Sequence, residues 1–483
     1  MTLTDDAGVL RACGYEQEFK RELSLFSSFS VSFSALGILP GIASTLACSL
    51  GSAGTVGLTW GWLLAWTGIQ CGAAAMAELA SSMPTSGGLY YAVGVLAPPG
   101  WGPFLAYLTG WSNWFGQSTA VPASSYGMVS ILVALVKVYK SDFEVTTAQM
   151  FGLTYSLTLM SFFFAVLPTR WVARINTAMT WFNIAAYFVF IIGVPAAVVN
   201  RPRFRSSAEV WRTITNSTDW PDGIAVLLSF LTVIWTMGGY DTPFHLSEEC
   251  ANSQIATPRA IVSTAVITDV PAALQSPLGQ PFVAALRQAT SPTTTLSFGV
   301  IIIISGTFAI QAIAITCSRL AYAYARDGLL PASRLVSRVN GHTLTPVNAC
   351  VFNLVVNTAF VCLIFAGPVT IGAVFSAGAV AAYFAFTMPV FLRCFLAGDR
   401  WRPGPWNLGK WGRPVGMYAC GYVSVMLPIL CFPAVRGANL TAQTMNWAVL
   451  VWGGPMFLAT IYFLLVVRKT YKGPKVRSPA SWL

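Results

Sequence analysis

Asp241 lies in the run Trp235-Thr236-Met237-Gly238-Gly239-Tyr240-Asp241-Thr242-Pro243, which sets a carboxylate among two glycines and a proline inside a stretch otherwise apolar enough to cross a bilayer. A carboxylate near the middle of a membrane is costly, so its default reading is functional: it pairs with a substrate amine or carries a coupling proton. Asp is also a favoured N-cap, so it can equally serve the second half of a broken helix. Trp235 and Tyr240 flank it and can offer an ammonium group a cation-π face, or simply pack. About 200 residues earlier, Leu36-Gly37-Ile38-Leu39-Pro40-Gly41 interrupts the first apolar run in a similar way. Two interrupted spans in corresponding halves point to a secondary transporter, because non-helical backbone at membrane depth survives only where it lines a cavity.

A broken helix exposes N–H groups at the start of one half and C=O groups at the end of the other. The first attract anions and the second attract cations. Backbone alone can then hold a solute carrying both a carboxylate and an amine, with side chains selecting size and charge. His245 closes the same apolar run and has the intrinsic pKa of a proton relay, although a lone His near a helix end is more often structural. Glu248 and Glu249 follow it, and Glu78 ends the second apolar run as a gate or packing residue.

Composition sets the frame for these sites. The 483 residues are 55% hydrophobic and 9% charged, with a mean hydropathy of +0.63. Soluble domains carry about 25% charged residues, so this is a polytopic membrane protein forming one membrane domain. The net charge of +11 does not mark a nucleic-acid binder. Arg170/Arg174, Arg319–Arg338, Arg393–Arg413 and Arg468–Arg477 carry +2, +3, +4 and +5, more than the whole, and each adjoins an apolar span as positive-inside loops do. The ten cysteines show no metal or disulfide spacing, and no cofactor is expected. With two His in the chain and no nucleophile or paired-carboxylate constellation, an enzyme is not expected either. Residues 1–22 lack the apolar core of a cleaved signal peptide.

Apolar windows of about 20 residues fall near 26–49, 55–78, 104–134, 150–168, 176–199, 224–247, 297–317, 347–367, 371–392, 415–434 and 446–467. These eleven spans leave a parity conflict. Glu248 and the basic loop Arg319–Arg338 belong on the same side, yet only one span separates them. Ile261 to Ile267 begins as a membrane helix should, but runs into Thr268-Asp269-Val270-Pro271. The expectation is a truncated helix, with an irregular passage over 261–286 as the alternative. Asn216-Ser217-Thr218 and Asn439-Leu440-Thr441 fit the glycosylation sequon and fall on the opposite side from the basic loops. Gly372, Ala373, Ala377, Gly378 and Ala381 recur at helical spacing and predict close helix packing.

Three strings, Ala77-Glu78-Leu79-Ala80-Ser81-Ser82-Met83-Pro84-Thr85-Ser86-Gly87-Gly88-Leu89-Tyr90-Tyr91, Trp235 to Ala251, and Tyr324-Ala325-Arg326-Asp327-Gly328-Leu329-Leu330-Pro331, together resemble the fungal GABA and choline permease branch of the amino acid, polyamine and organocation transporters, over about residues 15–470. The resemblance implies an all-α polytopic fold of the leucine-transporter type. Its first inverted five-helix repeat would fall near 26–199 and its second near 224–392, with accessory helices near 415–467. A cytosolic segment 1–25 and a basic cytosolic tail 468–483 would flank them. By position the substrate site falls on Ser34, Ala35, Leu36, Gly37 and Ile38, extending to Gly41, and on Trp235, Gly238, Gly239, Tyr240 and Asp241. Asp241, His245, Glu248 and Glu78 are the coupling or gating candidates. The departure from the family is at span seven, where the family's helix is cut after Ile267 and the sequence resumes in what is the family's external loop, near Asp269 to Gln280.

The expected function is proton-coupled symport of an amino acid, a GABA-like compound or a choline-like amine by alternating access, in the plasma membrane. The partners are a small amine or amino acid, protons and lipid. The alternative is a nutrient sensor, or a permease inactivated by loss of most of span seven.

Overall fold

Ser24 starts the first membrane helix as an N-cap, its side chain accepting from the Ser27 N–H, and Gly37 stops it after 12 helical residues in the left-handed conformation at φ 52°. No other residue fits at 37: a Cβ there would stand 2.7 Å from the Ala309 Cβ. The computed structural model, which describes residues 6–198, 206–266, 281–469 and 471–475, builds on that break. Its helices are α1 (Asp6–Ala12), α2 (Leu25–Leu36), α3 (Ile38–Ser82), α4 (Gly88–Leu96), α5 (Gly102–Tyr139), α6 (Thr147–Ala165), α7 (Thr169–Ala197), α8 (Ser207–Trp211), α9 (Asp222–Thr236), α10 (Thr242–His245), α11 (Ser253–Val266), α12 (Pro281–Ala289), α13 (Pro292–Arg326), α14 (Ser333–Val336), α15 (Val347–Cys362), α16 (Pro368–Phe391), α17 (Gly412–Ile429) and α18 (Ala448–Leu465).

Among the described residues there is no strand beyond an isolated bridge between Leu23 and Cys250. Eight helical stretches among the described residues are long and apolar enough to cross a membrane, and α9 is a shorter apolar helix. The protein is an all-helical, multi-pass membrane protein. One of the eight stretches, Leu25–Ser82, is not a single rod, because Gly37 and a non-helical Gly54 at φ 62° divide it into three pieces. The second apolar run breaks too. α9 ends at Thr236, Gly239 takes φ 102°, and α10 restarts at Thr242 with Pro243 in its first turn.

Small residues bring the spans together, as packing in lipid requires. A Cβ on Gly57 of α3 would sit 2.7 Å from the Ser229 Cβ of α9, and Gly116 of α5 lies against Gly378 and Ala382 of α16. In the predicted small-residue stripe, Ala377, Gly378 and Ala381 make such contacts or are buried, whereas Gly372 faces open space. Hydroxyls tie the same helices at depth: Thr232 donates to the Thr45 carbonyl at 2.8 Å and Ser49 to the Ser229 carbonyl at 2.5 Å.

A helix precedes and includes the start of the expected seventh span. α11 starts at Ser253 and runs 14 residues, about 21 Å at 1.5 Å per residue. Pro258 and its polar neighbours hide it in the sequence. Proline removes the N–H that would bond the carbonyl four residues back, and here Ser81 donates to that carbonyl, of Gln254, at 2.7 Å. α12 lies at the other end of the bundle. Its Phe282 ring packs 6.1 Å from Phe190, about 30 Å along α7 from Thr169, which itself bonds Glu249. The described residues on either side of 267–280 therefore lie toward opposite ends of the bundle. The expected cut after Ile267 and the resumption at Asp269 to Gln280 lie outside the described residues.

Candidate functional site: a cavity between two broken helices

The two breaks face one another. Ser32 on α2 donates to the Gly239 carbonyl at 3.2 Å, and the Gly239 Cα faces Ala35 closely enough that a Cβ would be 3.4 Å from the Ala35 Cβ. Between them lies a cavity of about 100 Å³ bounded by α2, α3, α5, the second break, α13 and α16. Of the expected substrate residues, Ala35, Leu36, Gly37, Trp235, Gly238, Gly239 and Tyr240 line it. Ser34 is fully buried, its hydroxyl unpartnered, and is outside the lining; Ile38 lines a separate cavity of about 200 Å³ with Asn183 and Ser305. Pro40 and Gly41, in the first turn of α3, also line the first cavity, so the first break itself is confined to Gly37.

No lining residue of the cavity carries a formal charge. Its polar groups are the hydroxyls of Ser44, Ser124, Tyr240 and Tyr383 and the amide of Gln117, and its aromatic wall is Trp235, Tyr240, Tyr383 and Phe386. The N–H groups of Gly239, Tyr240 and Asp241 take no acceptor among the described residues. Such a site can meet a carboxylate with peptide N–H groups and an ammonium with carbonyls and ring faces.

Asp241 sits just behind this wall, fully buried. It occupies the N-cap position of α10, but its side chain makes no capping hydrogen bond. Its Oδ2 instead accepts from Gln117 Nε2 at 3.1 Å and lies 3.4 Å from His245 Nε2, while Oδ1 has no partner. Gln117 thus connects cavity to carboxylate, a role that sequence reading missed. The available signal was Asn113 and Gln117 four residues apart within an otherwise apolar run, hence on one helix face.

The remaining coupling candidates lie at the basic end, each paired. Glu248 takes a two-pronged ion pair from Arg326, at 2.9 and 3.0 Å, and the Ser86 N–H at 2.9 Å. Its neighbour Glu249 takes Arg319 Nε at 2.9 Å and the Thr169 hydroxyl at 2.5 Å. Glu78 binds Arg393 at 2.5 Å and the Leu408 N–H at 2.8 Å. The N-terminal segment seals this end: Tyr15 donates to Asp327 at 2.6 Å, Gln17 to the Glu248 carbonyl at 2.9 Å and Arg21 to the Cys250 carbonyl at 2.7 Å. Tyr90 also donates to Asp327. Burial pushes the Asp327 carboxyl above the ordinary carboxylate range, against the opposing pull of Arg326 and the two tyrosine hydroxyls.

This arrangement binds and encloses a small solute. A family model described as amino acid permease matches residues 23–455. An uncharacterized amino-acid permease of Schizosaccharomyces pombe is 46% identical, the alignment covering 98% of this chain and 91% of that protein. A Candida albicans protein described as a candidate polyamine transporter is 41% identical over 98% and 89% of the two chains. The Arabidopsis thaliana amino-acid permease BAT1 is 28% identical over 96% and 95%. A permease family, transporter-named relatives and a cavity at two helix breaks agree: this chain is a membrane transporter rather than an enzyme, and it belongs to the amino acid permease family.

Proposed function

We propose that this permease carries a small amine or amino acid together with protons, by alternating access of two inverted five-helix repeats in a twelve-span scheme of the leucine-transporter type. The observation that carries the reading is the cavity itself: two helix breaks enclose it, its lining is uncharged, and the N–H groups of Gly239 and Tyr240 take no acceptor among the described residues. A zwitterion such as GABA would place its carboxylate on the N–H groups of Gly239 and Tyr240 and its ammonium toward Trp235, Tyr383 and Gln117. A choline-like or polyamine substrate would use the aromatic wall, with Asp241 behind it. The polyamine option draws on the name of the Candida albicans relative.

Under the positive-inside bias the basic end faces the cytosol, and the closure built on Glu248, Glu249 and Glu78 is the inner gate, in the plasma membrane. α11 covers about 21 Å of a hydrocarbon core roughly 30 Å thick. That length favours a working passage over an inactivated permease.

The test is a panel of labelled 4-aminobutyrate, choline, spermidine and neutral amino acids, offered to permease-deficient yeast expressing this chain or one with a full seventh helix. Uptake of at least one compound by both chains, abolished when the proton gradient is collapsed, is the expected outcome. Surface expression of both chains without uptake of any compound would refute transport and favour a sensor.

A further inference from the structure

Two residues four apart on α5 face two residues four apart at the second break. Gln117 meets Asp241 at 3.1 Å, and Asn113 Nδ2 meets His245 Nε2 at 3.1 Å. Asn113, Asp241 and His245 are completely buried, and Asn113 Oδ1 and Asp241 Oδ1 have no partner. Asn113 Nδ2 also donates to the Tyr324 hydroxyl at 3.1 Å. His245 Nδ1 stands 3.2 Å from the Ser86 carbonyl. A carbonyl only accepts, so Nδ1 carries a hydrogen.

That assignment leaves Nε2 with one lone pair between Asn113 Nδ2 at 3.1 Å and a carboxylate oxygen at 3.4 Å. Two acceptors facing one another in a dry site repel, whereas one proton between them satisfies both. We infer that Asp241 and His245 hold a single movable proton, and that the Asn113 amide turns over to accommodate whichever residue carries it. The inference rests on the proton-coupled reading and names where that proton resides.

The exchange is balanced: the Asp241 carboxylic acid and neutral His245 become the carboxylate and imidazolium. With the proton on Asp241, the acid O–H and Asn113 Nδ2 share the one Nε2 lone pair as a three-centre bond, and Asn113 Nδ2 also donates to the Tyr324 oxygen. With the proton on His245, a half-turn of the amide lets Oδ1 accept from Nε2–H and from the Tyr324 hydroxyl, which can donate or accept. Gln117 lines the cavity. A substrate ammonium arriving there favours the ionised form of Asp241 and moves the proton to His245, on the side of the basic end.

The titratable groups around the pair are few. Tyr240 adjoins Asp241 and packs on Phe386; Glu248, on the same segment, is held by Arg326 of α13; Tyr324 of α13 bonds Asn113, and Tyr90 of α4 packs on Tyr324 with ring centroids 4.9 Å apart. Facing α2 has no titratable side chain, and Arg259 of α11 is exposed. Gly88, at φ 53°, admits the ring: a Cβ there would lie 2.8 Å from His245 Cε1.

The chain has two histidines, so His342→Gln with ¹⁵N-labelled histidine leaves one imidazole for NMR in lipid nanodiscs. The expected spectrum at neutral pH shows a protonated Nδ1 and an Nε2 sharing a proton, and Asp241→Asn converts Nε2 to a bare nitrogen. A bare Nδ1 with protonated Nε2, or an Nε2 unaffected by Asp241→Asn, would overturn the assignment. In vesicles that exchange 4-aminobutyrate, choline or spermidine, Asn113→Leu is expected to reduce uptake driven by a pH gradient about tenfold relative to exchange. Equal loss of both would make Asn113 purely structural and refute its positioning role. Should the imidazole behave as stated while uptake moves no protons, the coupled-transport reading falls and the shared proton stands.

Discussion

Arg319 and Glu249 meet at 2.9 Å with side chains only 1% and 2% exposed, joining the far end of α13 to the segment just after the second break. Arg319 also donates to the Ala165 carbonyl of α6 at 3.0 Å, and Thr169 of α7 completes the Glu249 carboxylate. One ion pair therefore pins four elements at the basic end.

Removing one partner from such a pair strands a buried charge, which costs about 3–5 kcal/mol. Arg319→Met is expected to unfold in detergent at markedly lower temperature than wild type. The double variant Arg319→Met with Glu249→Gln should recover a large part of that loss. Thermal unfolding followed by size-exclusion chromatography measures both, and additive losses would reject the pairing argument.

Gln117 tests the link between cavity and carboxylate. Gln117→Leu keeps the volume but removes the donor to Asp241, and a hydrogen bond to a charged group contributes about 1.5–3 kcal/mol. Uptake is expected to fall roughly tenfold or more at normal surface level. Asp241→Asn should likewise reduce uptake of cationic or zwitterionic substrate while surface delivery persists.

Much of this architecture is legible in the residues, for physical reasons. Gly37 and Gly239 advertise the breaks because no other residue holds their left-handed backbone cheaply, and the basic loops sort the ends. α11 was obscured by Pro258, whose lost bond is made good by Ser81, a partner more than 170 residues away in sequence. The role of Asp241 was undecidable from sequence, since a capping carboxylate and one turned toward α5 look identical there. Likewise Gln117 and the Arg319 and Arg326 pairings are relations between distant segments, which spacing within one segment does not encode.

Gly88→Ala tests the close approach of α4 to His245. The left-handed backbone alone makes alanine unfavourable by about 1 kcal/mol, and the Cβ would meet the ring at 2.8 Å. Reduced yield of folded protein and loss of uptake are expected, measured by fluorescence-detected chromatography and transport. Wild-type behaviour would show that the ring is free to move.

The loops opposite the basic end should be acid-sensitive. Asp219 accepts from Asn439 Nδ2 at 3.0 Å and from the Arg436 N–H at 3.1 Å, and these hydrogen bonds hold its carboxyl below the ordinary range. A depressed carboxyl stabilises the fold fully above its unfolded value of about 3.9, and that contribution is lost as pH falls through the folded value. Asp219→Asn should flatten the acid limb of the thermal-stability profile at that pH. An unchanged limb would contradict the assignment.

The account stands on the cavity between the two breaks being the place where the solute binds. Equilibrium binding of a transported, radiolabelled compound to purified protein, wild type against Ala120→Trp, measures this most directly, because Ala120 lines the cavity without joining the Asp241 pair. The prediction is saturable one-site binding to the wild type and none to a monodisperse, folded Ala120→Trp protein. Undiminished affinity in that variant would place the solute elsewhere and contradict the account.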